Sequence, residues 1–161
     1  MSLPGPMLNA PAMLSYTQEG RLRRRARLLD GDGETIAQFT STTWLAHRRT
    51  EVAGTRLLLR HRGMVFRLRL DIIDADGRVL VHITKGQLRA EGQTFDWQED
   101  RGGTQPSVLG VAGDQVAVVT PQAQDTGVTH VQVTGARPVA LLVLMACCEW
   151  ERLRAFQRGL G

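Results

Sequence analysis

Long apolar runs, aromatic side chains, lysine and separable cysteines are all scarce in this chain of 161 residues. The longest apolar run, residues 139–148, is interrupted at Glu149. A membrane-crossing helix needs about 20 such residues. Glu149, Glu151, Arg152 and Arg154 stand where its second half would be, so the run reads as a buried core helix. The two cysteines, Cys147 and Cys148, are adjacent and have no third partner. Neighbouring cysteines rarely meet disulfide geometry. They read as small buried hydrophobes in a reducing compartment, which points to the cytoplasm. No basic segment opens the chain, and residues 1–12 carry three prolines. That excludes a secretory signal and suggests a flexible or loosely docked leader ahead of a single domain at residues 13–161.

Lysine is nearly absent. Lys85 is the only one among 20 basic residues, set against 16 acidic ones, for a net charge of +4 and an isoelectric point near 10.0. A basic protein favours anionic partners such as phosphates, lipid headgroups or nucleic acid. Arginine in particular favours planar, bidentate contacts. The competing reading is that these charges only solvate an outer surface. Aromatics make up 5% of the chain. Single-strand binders interleave basic residues with stacking aromatics. Here the basic strands contain only Phe66, on the inward alternation, and Tyr16 lies outside them. Nucleic acid is disfavoured.

Catalytic signatures are missing too. His47, His61, His82 and His130 are scattered without paired metal spacing. No G-x-S-x-G and no phosphate-cradling G-x-x-x-x-G-K occurs. No catalytic set can be assembled from these residues, and no cofactor is implied. Glu149 and Glu151, just past the apolar run, are expected to emerge into solvent or to pair with arginines at a rim.

What is present is a long series of short strands. From about residue 14 to residue 133, alternating segments are separated by Gly and Asp turns, the pattern of an antiparallel sandwich or barrel. The cleanest is residues 65–73. Phe66, Leu68, Leu70 and Ile72 fall on one face and Arg67, Arg69 and Asp71 on the other. Residues 21–39 repeat as residues 65–83 at an offset of 44. Arg23, Arg25, Leu28, Asp30, Asp32 and Gly33 fall on Arg67, Arg69, Ile72, Asp74, Asp76 and Gly77. An even offset keeps each face, so one hairpin is used twice in one sheet.

After the strands comes one helix, expected at about residues 138–157. Pro138 suits its first turn. Its first half is apolar all round, so it must be wrapped on every side. Its second half is one-sided, with Trp150, Leu153 and Phe156 at spacing three. The fold class is therefore mainly β with one central helix, an antiparallel barrel closed around a buried apolar C-terminal helix.

Paired strand–Asp-x-Asp-Gly–strand hairpins ending in a wholly apolar helix resemble the tubby-like superfamily. That group includes the tubby C-terminal domain, phospholipid scramblases and LURP-one-related proteins. The hairpin Leu68-Arg-Leu-Asp-Ile-Ile-Asp-Ala-Asp-Gly-Arg-Val-Leu-Val81 is similar to the LURP-one pattern. Ala140-Leu-Leu-Val-Leu-Met-Ala-Cys-Cys-Glu-Trp-Glu-Arg152 resembles the terminal helix of those proteins and of scramblases. The resemblance covers about residues 14–157 and implies about twelve strands around the helix. It carries over no catalytic site.

The site reading follows from the repeat. Arg21, Arg23, Arg25 and Arg27 share one side of the first repeat strand, and Arg67 and Arg69 take equivalent places in the second. If the repeated strands lie close together, four to six guanidinium groups form one anionic-ligand site. The expected partner is then an anionic membrane surface, met peripherally, or another phosphate-bearing ligand. The alternative is a scaffold domain with an unidentified protein partner. Arg24 falls on the inward alternation, at a rim or a bulge. Asp30, Asp32, Asp74 and Asp76 invite a calcium reading, but the twelfth loop positions are Ser41 and Lys85 rather than glutamate. Tight hairpins select Asp and Gly anyway, so these read as structural turns.

Overall fold

The computed structural model describes residues 3–8, 12–19, 23–30, 32–42, 47–63, 67–99, 107–122, 130–135 and 138–159. Among the described residues, fourteen strands precede one helix. They are β1 (Met7–Leu8), β2 (Ala12–Glu19), β3 (Arg23–Asp30), β4 (Thr35–Thr42), β5 (His47–Val52), β6 (Thr55–Arg62) and β7 (Arg69–Asp74). There follow β8 (Val79–Thr84), β9 (Gln87–Ala90), β10 (Gln93–Gln98), β11 (Ser107–Val111), β12 (Asp114–Gln122), β13 (His130–Gly135), β14 (Val139–Ala140) and the helix α1 (Leu141–Gly159).

Turn chemistry sets the strand boundaries. Three hairpins turn on two residues that both hold positive φ: Ala53 with Gly54, Glu91 with Gly92, and Ala112 with Gly113. That is the turn whose twist matches a right-handed strand pair. The repeated hairpins turn instead on Asp-x-Asp-Gly, and the structure repeats them residue for residue. In β3–β4 the register shifts between Leu28 and Leu29, with Leu28 opposite Ala37 and Leu29 opposite Thr35. In β7–β8 it shifts between Ile72 and Ile73, with Ile72 opposite Val81 and Ile73 opposite Val79. Each pair is offset by the same 44 positions, so the sequence repeat is a repeated bulged hairpin.

Twelve strands, β2 to β13, form one large antiparallel sheet with the order β10-β11-β12-β13-β2-β3-β4-β5-β6-β7-β8-β9. β9 also pairs with β10, so each of the twelve is hydrogen-bonded on both sides and the order is cyclic. The inward rows carry Leu57 and Leu59, Leu70 and Ile72, Val81 and Ile83, Leu88 and Trp97, all buried. α1 packs on β7, β8, β12 and β13. Its residues 141–151 are all buried, as expected of the apolar stretch up to Cys148 and beyond expectation for residues 149–151.

The start of the helix differs from expectation. Pro138 is exposed and lies outside α1, and Val139 and Ala140 are extended, pairing antiparallel with Met7 and Leu8. The first N–H groups of a helix have no internal acceptor; here Leu141 N–H donates to the Pro6 carbonyl at 3.0 Å. The segment expected to be a flexible or loosely docked leader thus caps the helix across residues 3–8. Gly5 allows the close approach. It holds φ +95°, and a Cβ there would lie 2.7 Å from the Val52 side chain.

Candidate anion-binding face

Alternation puts the odd-numbered residues of β7 and the even-numbered residues of β6 on the outward face. Arg69, Arg62 and Arg56 are exposed there, and Arg67 just ahead of β7, Arg27 on β3 and Arg49 on β5 are exposed too. Of the six arginines picked from sequence, Arg27, Arg67 and Arg69 therefore lie exposed as expected. Arg23 and Arg25 sit in β3 opposite Thr42 and Thr40. Arg21 lies outside the described residues.

The two sets are not side by side. β4, β5 and β6 stand between β3 and β7, and four strand spacings amount to about 19 Å. The close pairing that a single shared patch requires is absent, because the intervening hairpin β5–β6 is inserted between the repeats. That hairpin brings arginines of its own. Arg49 and Arg56 line a groove of about 590 Å³ together with Glu51 and Asp74, so their charge is partly offset. Arg62, at the other end of β6, lies directly opposite Arg69. No ion pair engages Arg27, Arg62, Arg67 or Arg69 among the described residues.

A row of charged residues escaped the sequence reading. Arg60, Asp71, His82 and Arg89 are successive cross-strand partners on β6, β7, β8 and β9. Arg60 Nη2 donates to Asp71 Oδ2 at 3.2 Å, and His82 Nδ1 contacts Asp71 Oδ1. Asp71 is only 8% exposed, and the buried Arg60 Nε has no partner. The signal was the shared outward alternation of Asp71 and His82. The bulge at Ile72 and Ile73 hid it, since an unshifted register would place Val81 opposite Asp71. Asp71→Ala is expected to cost about 1–3 kcal/mol, because it leaves a partly buried guanidinium without its counter-charge. Urea denaturation measures this, and a loss under about 0.5 kcal/mol, the range of an ordinary surface change, would show the row to be screened by water.

The carboxylates at the end of the apolar run are a correction. Glu149 and Glu151 do not emerge into solvent; each is 1% exposed. Glu151 accepts a hydrogen bond from Ser107 Oγ, and between the two glutamates Trp150 Nε1 donates to Glu99 Oε1 at 2.6 Å. The enclosed part of α1 thus runs past the cysteines. Burial pushes the Cys147 and Cys148 thiols up, and the nearby Glu149 and Glu151 charges add to it at Cys148. Both thiols stay protonated through the neutral range and behave as small apolar groups.

The second Asp-x-Asp-Gly sequence is built as a turn. Asp74 Oδ1 accepts from the N–H groups of Asp76 and Arg78 at 3.0 and 2.9 Å, and Gly77 holds φ +82°. Asp32 is exposed, and the Asp30 side chain lies outside the described residues. Among the described residues no group of three His, Cys, Asp or Glu side chains could hold a metal, and no helix is long and apolar enough to cross a membrane.

Comparison with family models, with curated proteins and with solved structures found no match to this chain.

Proposed function

We propose that the protein is a non-enzymatic binding module that docks on anionic lipid headgroups or other phosphate-bearing surfaces through its outward arginines. The observation that carries this is the set Arg27, Arg62, Arg67 and Arg69, exposed and engaged in no ion pair among the described residues. Arg21, Arg23 and Arg25 join the reading on sequence alternation alone. Each arginine held near an anionic bilayer contributes about 1 kcal/mol. Arg62, Arg67 and Arg69 act together at one end of the β6–β7 hairpin, while Arg27, four strands from β7, adds only to a surface broad enough to reach both groups. We assign the fold to the tubby-like superfamily, with the cyclic sheet as a barrel wound around α1. The support is the repeated bulged hairpin, the pairing of every sheet strand on both sides, and the buried helix that follows them.

Sedimentation with phosphatidylcholine vesicles, with and without phosphatidylserine, tests the docking. Binding is expected only with the anionic lipid at about 0.1 M salt, and release is expected at about 1 M, where the screening length falls to about 3 Å. Equal binding to neutral vesicles would overturn the reading. Failure to bind any vesicle would turn the search to the alternative, a scaffold with a protein partner.

A further inference from the structure

Building on that docking face, we infer that Arg62, Arg67 and Arg69 form a clasp for a single phosphate group where β6 turns back into β7. The argument starts from a cost. Directly opposed residues on neighbouring antiparallel strands have Cβ atoms about 4.5–5.5 Å apart, and like charges there repel. Arg62 and Arg69 are opposed in this way, and Arg67, just ahead of β7, is exposed like Arg69 with the buried Leu68 between them. Three exposed guanidinium groups therefore crowd one end of one hairpin.

Nothing on the described surface relieves them. Asp71, two residues along β7, has one oxygen taken by Arg60 and the other by His82. Asp96 is the next acid along the same cross-strand row, which runs Arg69, Thr84, Gln87, Asp96. It lies three strands away, or about 14 Å.

The backbone holds the crowding in place. Gly63 follows Arg62 with φ +86°, and a Cβ there would lie 2.2 Å from the Arg67 carbonyl oxygen. The chain ends bearing Arg62 and Arg67 are thus pressed together at a position that admits only glycine. The other arginine cluster on β6 behaves differently, because Arg56 is opposed by Glu51 and the groove it shares with Arg49 also contains Asp74. The positive charge of the face is not uniform. Among the described residues it is uncompensated at one end of β6 and offset at the other.

A phosphate dianion is the complement of this arrangement. Guanidinium forks bind phosphate oxygens bidentately, and a doubly charged group offsets the mutual repulsion of three cations better than a carboxylate does. The ligand class is a terminal phosphate, carried either by a lipid headgroup or by a free phosphomonoester.

The test uses the full chain, R62Q/R69Q, and R49Q/R56Q as a variant of equal charge change at the compensated end. Probes are inorganic phosphate and phosphatidylcholine vesicles containing either phosphatidic acid, which ends in a phosphate, or phosphatidylserine, which does not. R62Q/R69Q is expected to bind phosphatidic acid vesicles at least about tenfold more weakly than the full chain, with R49Q/R56Q losing much less. In phosphate-free buffer R62Q/R69Q should melt no lower than the parent, since repulsion has been removed; inorganic phosphate should raise the parent's melting temperature and not the variant's. Equal losses from both double variants would overturn the clasp and leave the docking face standing. A phosphate response lost in R62Q/R69Q without any vesicle binding would keep the clasp for a free phosphomonoester and overturn membrane docking. No response to either probe overturns both.

Discussion

Leu144→Asp is expected to prevent folding altogether. Leu144 lies within the enclosed stretch of α1, is 1% exposed, and has buried helix residues on either side of it. A carboxylate there either stays charged without a partner or takes up a proton. Both routes cost several kcal/mol. Loss of the leucine packing adds about 2–5 kcal/mol. The sum is comparable with the roughly 5–15 kcal/mol that holds a domain of this size together. Leu144→Met, which keeps the volume, should cost less than about 1.5 kcal/mol. Circular dichroism and thermal melting of the two variants decide the matter. A Leu144→Asp protein that melts at the parent temperature would show that α1 is not surrounded.

Gly63→Ala is expected to destabilise the protein by about 2–4 kcal/mol, more than any other single methyl group added at a described turn glycine. Two penalties act at once. The residue holds φ +86°, which costs an L side chain about 1–2 kcal/mol. The new Cβ would also lie 2.2 Å from the Arg67 carbonyl oxygen and 2.9 Å from its carbon, and backbone cannot step aside as a side chain can. Gly77 supplies the internal control. Its φ is +82°, but no atom lies within 4 Å of the added Cβ, so Gly77→Ala should show the conformational penalty alone. The difference between the two variants in urea denaturation isolates the clash. Equal losses would mean that the β6–β7 turn relaxes freely, and the crowding of Arg62 and Arg67 would lose its structural cause.

The hairpins were legible from sequence because their information is local. The Asp-x-Asp-Gly turns, the inward Leu68, Leu70 and Ile72, and the offset of 44 all follow from spacing within a few residues, and the structure returns them with matching bulges. The order of hairpins in the sheet was not legible in this way. The hairpin β5–β6, which lies between the two copies in sequence, also stands between them in the sheet, and that separation divides an arginine patch that the repeat alone would unite. Glu149 and Glu151 misled for a related reason. A charged residue after an apolar run ordinarily marks emergence into water, whereas here Ser107, far away in sequence, reaches Glu151 inside. The Asp71–His82 contact depended on a one-residue register shift that alternation cannot reveal. Pro138 carried a real signal for a nearby helix start, but the partner that delays that start to Leu141 is the segment at residues 3–8.

The position of α1 behind all fourteen strands has a consequence for how the protein is made. A ribosome adds about 5–20 residues per second, so the earliest strands exist for on the order of ten seconds before the helix is complete. During that interval the inward rows of Leu57, Leu59, Leu70, Ile72, Ile83 and Leu88 have nothing to close upon. The order of synthesis and the order of folding are therefore opposed. The sheet is made before the helix that packs on it, and even the short pair formed by Met7 and Leu8 must wait for Val139 and Ala140. Nascent chains halted before Leu141 carry a full set of strands and no core, which makes them the species of this protein most exposed to aggregation.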